Sequence, residues 1–448
     1  MPPTPDLLAE LRRRGLLHQT TGDEALRAHL ADPALHPRRG YVGFDPTADS
    51  LTIGNLVPII LLRHLQLAGH VPVVVMGGGT GLIGDPSGKS AERALLSEEQ
   101  VRANVEAQRP IFERVIDFSV AGERAPLLLN NLDWLGGLGY LRVLRDIGKH
   151  FSVNMMIQKE SIRARLSERE HGISYTEFSY MILQAYDFLH LWREHGVTLQ
   201  MGGSDQWGNI VAGVDLIRRD RNAASAPADT APSSETADAA FGLTAPLLTK
   251  ADGGKFGKTE AGAVWLSARR TSPYAFYQFW LNTADADVER FLNIFTFLPP
   301  EQVAALAESA RVNPGAREAQ RALARHVTEM LHGPTERQRA EAAAAALFSG
   351  DIRHLPEPDL AEVLAAAPVT RHPRSLLEGA GVAILDVLPQ TSLATSRSQA
   401  RQLLAEGSIF VNGLKAAPDA RLTTATLLHG RTIALRRGKK TWHVTTWE

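Results

Sequence analysis

Between residues about 40 and 220, short apolar runs alternate with longer stretches whose apolar positions recur every three to four residues. That alternation predicts strands feeding helices in an α/β sheet. The clearest unit begins at Tyr41. Tyr41 to Phe44 reads as a strand that breaks at Pro46; Leu56, Ile59, Ile60, Leu62 and Leu65 keep helical spacing, and Val71 to Met76 is a second strand. Small and polar residues join the first strand to the helix, which opens near Gly54. Strand, glycine-containing turn, helix and strand make a βαβ unit, and its first turn is where a parallel sheet places nucleotide phosphates.

Further along, TEFSYMILQAYDFLHLW reads as a helix and Val197 to Gln200 as a short strand. The segment Arg221 to Ala240 has almost no large apolar side chain, so burial cannot offset its ordering entropy and a disordered insertion is expected. Residues about 272 to 347 carry helical patterns punctuated by Pro and Gly, as in a small bundle. The chain is Pro-rich around Leu355 to Pro373 and reads there as a linker. From Ile384 onward a helix with Ala400, Leu403 and Leu404 inward precedes a strand at Ile409 to Val411, an Asn412-Gly413 tight turn, and a hairpin with a basic tip. The predicted organisation is an α/β domain over 1–271 with the insertion at 221–240, a helical domain over 272–350, a linker over 351–383 and a small α+β module over 384–448.

Composition narrows the partners. A chain of 448 residues is long enough for two or three domains with their own cores. Net charge is −1, so no global field advertises nucleic acid, yet from residue 384 nine Arg and Lys face four Asp and Glu, a local excess of +5. Cysteine is absent, which rules out disulfides and thiolate zinc sites. Charge precedes any apolar run at the N-terminus, unlike a signal peptide, and no apolar run reaches the roughly 18 residues of a membrane span. A soluble cytoplasmic protein is expected, with no protein-bound metal and no membrane partner.

Five segments carry candidate chemistry. GGGTGLIGDPSGKS contains Gly79-x-Gly81-x-x-Gly84, formally a dinucleotide fingerprint, but it opens no helix at once and its near P-loop has Ile83 where a glycine is required. A flexible glycine loop at a strand end is the plainer reading. In KADGGKFGKTEAG, Lys255 and Lys258 lie three apart among glycines and end in Thr259. Glycines let that backbone rearrange while two ammonium groups follow developing phosphate charge; the alternative is a solvated basic turn. Tyr180, Gln184 and Asp187 share one helix face, either a recognition stripe or a polar stripe facing solvent. In MGGSDQWGN, Gly202 and Gly203 permit close backbone approach and Asp205 can accept from a ribose, or simply form an Asx turn. Ser396 or Ser398 can cap a helix that leaves Arg397 and Arg401 four apart on an outer face.

Taken together, these strings resemble the class I aminoacyl-tRNA synthetases, specifically the bacterial tyrosyl enzymes. YVGFDPTADSLTIGN is similar to their first signature, with Thr52-Ile53-Gly54-Asn55 at the tetrad that usually begins and ends in histidine, and the lysine segment is similar to their KMSKS loop. The resemblance implies a Rossmann-like parallel-sheet catalytic domain, a helical anticodon-recognition domain and a small RNA-binding module shared with a ribosomal small-subunit protein. It implies that tyrosine is held by Tyr41, Asp45, Thr80, Asp85, Tyr180, Gln184 and Asp187, with Tyr41 and Asp187 on the phenol hydroxyl. Gly54, Gly203, Asp205, Gln206 and Lys258 would hold ATP. Thr47, Thr52, Asn55, Lys89, Arg93, Lys255, Lys258 and Thr259 would serve the phosphates, and Arg397 and Arg401 the RNA. Asn55 can donate as an imidazole N–H does, whereas Thr52 is shorter and uncharged, so Thr47 is expected to carry more of the triphosphate contact. The implied partners are L-tyrosine, ATP with Mg²⁺, tRNA(Tyr) and a second copy of the chain, with GKHFSVNMM as the candidate contact region. A tryptophan enzyme and a non-catalytic RNA-binding paralogue are the alternatives; Asp187 with Tyr41 weighs against the first, and intact Lys255, Lys258 and Asp205 against the second.

Overall fold

All six residues of Val71–Met76 are buried, as a parallel strand covered on both faces requires. It belongs to a six-stranded sheet. A computed structural model describes residues 6–85, 95–159, 162–163, 173–224, 240–254, 256–259 and 262–448. Its sheet contains β1 (Gln19–Thr20), β2 (Arg39–Phe44), β3 (Val71–Met76), β4 (Leu127–Asn130), β5 (Val197–Gly203) and β6 (Phe241–Ala245), in the order β1-β6-β5-β2-β3-β4. Only β1 runs antiparallel to its neighbour. From β2 the chain winds outward through β3 and β4, and after β5 it winds the other way through β6. The order therefore reverses between β2 and β5, where a crevice opens at the strand ends and such sheets bind ligands.

The helices form where the apolar spacing places them. Leu56–Leu67 follows a 3₁₀ turn at Ile53–Asn55 and buries Leu56, Ile59, Ile60, Leu62 and Leu65. Glu98–Val115 starts from a capping box in which the Ser97 hydroxyl accepts from the Gln100 N–H. Tyr175–His195 starts at the Ser174 cap and ends at Gly196, whose φ of 59° suits glycine at a helix C-terminus. Trp207–Ala224 runs through the first residues of the expected insertion, so Arg221–Ala224 are helical; the remainder of that segment to residue 239 lies outside the described residues.

Contacts divide the chain into two units, Met1–Ser272 with Asn282–Leu331, and Pro273–Leu281 with His332–Glu448. The helices expected as one separate domain over 272–350 are thus shared out between the units. Their apolar faces decide this. Asp285–Phe295 presents Phe291 and Phe295 to Phe256, with ring centroids 5.1 and 5.2 Å away. The buried Arg14 guanidinium donates to the carbonyls of Asn293, Thr296 and Leu298 at 2.9, 2.6 and 3.0 Å, capping that helix from the far end of the sequence. Beyond the break at Gly333 (φ 84°), Ala343 instead joins Ile352, Leu355, Leu360, Trp442 and Val444 in a different core.

The second unit also absorbs the stretch 351–383 that reads as a linker. It forms the helix Glu357–Val363 and a strand, Val369–His372, that pairs in parallel with the last strand, Thr441–Trp447. Its prolines start a helix and flank a strand, roles they fill without a backbone N–H. The Asn412-Gly413 turn has φ of 47° and 89° and joins Val411 to Leu414 as a two-residue hairpin. A Cβ on Gly413 would lie 1.8 Å from the Gly350 carbonyl oxygen, so glycine is required there twice over.

Candidate active site

The crevice between β2 and β5 is a cavity of about 590 Å³, lined from both strands, the glycine turn after β3, the start of the Leu56–Leu67 helix, the Tyr175–His195 helix and the segment Pro246–Thr249 with Phe256. The first signature and the lysine segment, some 200 residues apart, are stitched together at its rim. Ile53 N–H donates to the Val264 carbonyl at 2.9 Å, Leu266 N–H to Leu51 at 2.8 Å, Ser267 N–H to the Ser50 hydroxyl at 3.1 Å, and Thr52 bridges to Trp265. Arg270 pairs with Asp49 and lies 4.5 Å over the Trp265 ring. Gly257, at φ 80°, packs so closely that a Cβ would meet Ile53 Cγ2 at 2.5 Å.

On one side a continuous hydrogen-bond chain crosses the cleft. The Tyr180 hydroxyl donates to Asp45 Oδ2 at 2.8 Å, and the Thr80 hydroxyl donates to Asp45 Oδ1 at 2.7 Å. Asn131 Nδ2 donates to Thr80 Oγ1 at 3.0 Å and to Asp187 Oδ2 at 2.9 Å, while Trp134 Nε1 donates to Asp187 Oδ1 at 2.7 Å. Each Asp187 oxygen therefore has one fixed donor and a remaining lone pair. Burial nevertheless pushes the Asp187 carboxyl from 3.8 up to about 7, against the lowering effect of those donors. Beside it the Tyr41 hydroxyl, 2 % exposed, has no hydrogen-bond partner among the described residues, and burial and then Asp187 raise its pKa well above the ordinary range. A buried hydroxyl without a partner is costly in a finished core and informative in a cleft.

Why the glycine loop is glycine becomes clear here. A Cβ on Gly77 would lie 2.2 Å from Asp45 Oδ1, and one on Gly78 would lie 2.1 Å from Asn130 Oδ1. The Gly77–Gly78 turn makes room for side chains of the site, and among the described residues only the 3₁₀ turn Thr80–Leu82 lies between β3 and the helix Glu98–Val115.

The other side of the cleft is an amide and carboxylate cluster. Gln206 Nε2 donates to Asp85 Oδ2 at 2.8 Å and to Asp205 Oδ2 at 3.3 Å, Gln184 Nε2 donates to Gln206 Oε1 at 3.3 Å, and Asn209 Nδ2 donates to Gln184 Oε1 at 3.0 Å. Burial raises the Asp205 carboxyl above its usual range. Gly202 and Gly203 end β5 at the cleft wall.

The structure brings Tyr41, Asp45, Thr52, Gly54, Asn55, Thr80, Tyr180, Gln184, Asp187, Gly203, Asp205 and Gln206 to this one cavity, with Asp85 bonded to its wall. Tyr180 and Asp187 are 5 % and 4 % exposed, so their stripe faces the interior and not solvent. Thr47 is exposed and is not among the cavity-lining residues; its N–H donates to the Asp45 carbonyl at 2.9 Å. Lys89, Arg93 and Lys255 lie outside the described residues, and Lys258 and Thr259 are placed only as a strand, β7 (Lys258–Thr259), paired with β8 (Gly262–Ala263). Arg397 and Arg401 are exposed on the helix Arg397–Ala405, which Ser396 caps, and Arg397 pairs with Asp386 at 2.8 Å. Asn131 and Trp134 went unread in the sequence; the only signal was an Asn pair ending the apolar run LLLNN. Among the described residues no cluster of three or more metal-ligating side chains occurs, and no helix is long and apolar enough to cross a membrane.

The sheet, parallel but for β1, and the first signature joined to the chain just after the lysine segment agree with what the comparisons with known proteins find. The family model for class I tRNA synthetases of the tryptophan and tyrosine type matches residues 35–349, and the chain belongs to that family. A second model, for the C-terminal domain of tyrosine–tRNA ligases, matches residues 365–445. The tyrosine–tRNA ligase of Roseiflexus castenholzii is 47% identical over 98% of this chain and 98% of its own length. That of Aliivibrio fischeri is 47% identical over 100% of each. Among solved structures, a C-terminally truncated mitochondrial tyrosyl-tRNA synthetase from Aspergillus nidulans matches with a TM-score of 0.67 at 30% identity, covering 77% of this chain and 94% of that one.

Proposed function

We propose that this chain ligates L-tyrosine to tRNA(Tyr) in two steps. The tyrosine carboxylate attacks the α-phosphate of ATP, forming tyrosyl-adenylate and expelling pyrophosphate; a hydroxyl of the tRNA terminal ribose then takes the tyrosyl group and releases AMP. No side chain need act as nucleophile, so rate comes from positioning and from donors aimed at the phosphates. The observation that carries the reading is the unpartnered Tyr41 hydroxyl beside the buried Asp187 carboxylate. A phenol O–H donating to Asp187 and accepting from Tyr41 would complete both groups, and an indole or a benzyl ring would not.

At the other end of the amino acid, Asp85, Gln184 and the Tyr180 oxygen surround the place for the ammonium group. Asp205 and Gln206 would take the ribose, and Gly54 and Gly203 the close approach of the nucleotide. Asn55 would donate to phosphate. Thr47, Lys89, Arg93, Lys255, Lys258 and Thr259 complete the phosphate set in this proposal. ATP enters with its Mg²⁺ as substrate. The reading places the enzyme in the cytoplasm with its tRNA, as a homodimer. Exposed apolar side chains at Tyr140, Leu141, Leu144, Val153, Met155 and Ile157, close together in sequence, support a second copy as the partner.

Pyrophosphate exchange dependent on tyrosine, and not on tryptophan or on ATP alone, is the expected result and the test. Exchange with tryptophan, or none with the folded protein, would overturn the reading. Tyr41→Phe should weaken tyrosine binding by about 0.5–1.5 kcal/mol, one neutral hydrogen bond. Its melting temperature should not fall, because the hydroxyl removed has no partner among the described residues. Titration calorimetry with a parallel melt checks both.

The C-terminal module is proposed to hold RNA through its basic face, and the helices within 272–350 to serve anticodon recognition. Arg397→Ala with Arg401→Ala should flatten the dependence of log K for tRNA on log salt by up to about 2, since each phosphate contact contributes about 0.7–0.9. Tyrosine-dependent exchange should stay at the parent rate. An unchanged salt slope would make that face merely solvated.

A further inference from the structure

We infer that Thr52 is a positioning residue: its hydroxyl fixes the Asn55 side-chain amide so that Nδ2 donates into the nucleotide end of the cleft. Asn55 Oδ1 accepts from the Thr52 N–H at 3.0 Å and from the Thr52 hydroxyl at 3.0 Å. The backbone donor settles which end of the amide faces Thr52, because Nδ2 turned toward it would set donor against donor. The hydroxyl, lying across the same oxygen, removes the remaining freedom of the amide plane. Both N–H bonds of Nδ2 are then left, and neither is used by a described residue. Thr52, Gly54 and Asn55 all line the cavity, so the free donors belong to the site and not to a solvated helix end.

Two features make Thr52 suited to this task. Its extended backbone (φ −85°, ψ 165°) is pinned by the bridge to Trp265 and by the Ile53 N–H bond to the Val264 carbonyl at 2.9 Å, so the amide is registered to the end of the lysine segment. A hydroxyl that donates to an amide oxygen also polarises that amide, making its N–H groups stronger donors. A threonine at this position thus acts on phosphate through its neighbour, in place of touching it. The inference rests on the proposed activation of tyrosine by ATP.

A double-mutant cycle on the full-length enzyme tests it, with the pre-steady-state rate of tyrosyl-adenylate formation as readout. Thr52→Val, which keeps the shape and removes the donor, should slow adenylate formation about three- to tenfold, the effect of one neutral hydrogen bond. Tyrosine affinity should not move. Thr52→Ser, which keeps the hydroxyl, should recover most of the rate. In an Asn55→Ala background the step from Thr52 to Val should cost less than about twofold, because the group it positions is gone. An equal loss in that background would mean that Thr52 contacts the nucleotide itself and would overturn the inference. So would a full-rate Thr52→Val enzyme, or a Thr52→Ser enzyme as slow as Thr52→Val. Absence of tyrosine-dependent exchange in the parent enzyme would instead sink the proposed function, which keeps the two failures distinct.

Discussion

Asp187→Asn should cost about 1.5–3 kcal/mol of tyrosine binding, the range for a hydrogen bond to a charged acceptor, and leave phenylalanine binding almost unchanged. The carboxylate now serves three donors in this reading: Asn131 Nδ2 and Trp134 Nε1, one on each oxygen, and the substrate phenol. Asparagine has one acceptor oxygen, so its own NH₂ must face a donor that formerly found an acceptor. The ratio of tyrosine to phenylalanine affinities, measured calorimetrically, is the readout, and an unchanged ratio would refute Asp187 as the group that reads the hydroxyl. The same group makes a pH prediction. Its pKa in the folded chain is raised from 3.8 to about 7, so ionisation penalises folding: the penalty is absent below about pH 4, grows as pH rises, and is complete above about pH 7. Asp187→Asn should therefore remove part of the stability lost between those limits. Tyrosine affinity in the parent enzyme should strengthen as pH rises through about 7, when the acceptor becomes a carboxylate.

Lys258→Ala should slow adenylate formation about 10²- to 10³-fold, the effect of deleting one donor that acts in the transition state. Tyrosine affinity should remain within twofold or so, since Asn131 and Trp134, the donors that hold Asp187, lie outside the lysine segment. The backbone places the segment where such a role is feasible. Gly257 packs on Ile53, β7 follows at once, and Val264 to Ser267 are bonded to Leu51, Ile53 and Ser50. Rapid-quench measurement of the first turnover separates this from a binding defect. A wild-type first turnover would remove Lys258 from the phosphate set.

Much of the local structure was legible because its causes are local. The Tyr41–Met76 strand, turn, helix and strand follow from apolar spacing that backbone periodicity alone interprets; the observed bounds are Arg39–Phe44, Leu56–Leu67 and Val71–Met76. Ser396 caps its helix and Asn412-Gly413 turns its hairpin for equally local reasons, a side-chain oxygen beside free N–H groups and two residues able to take positive φ. The linker expected at 351–383 failed for the opposite cause. Prolines set the conformation of their neighbours, but whether Val369–His372 becomes a strand depends on an edge offered by Thr441–Trp447, some 70 residues later.

The sequence by itself determined the βαβ unit, the presence of the two signature segments and the helix face bearing Tyr180, Gln184 and Asp187. It could not decide whether that face met solvent or a cleft, nor what Asp187 would touch. The tertiary structure decided those points, because strand order brings β4 beside β3 and so carries Asn131 and Trp134 to a carboxylate more than 50 residues away. It also split the helices after residue 272 between two cores, since Phe291 and Phe295 find Phe256 while Ala343 finds Trp442 and Ile352. Helical spacing shows that a face is apolar; only the packed chain supplies the surface that covers it.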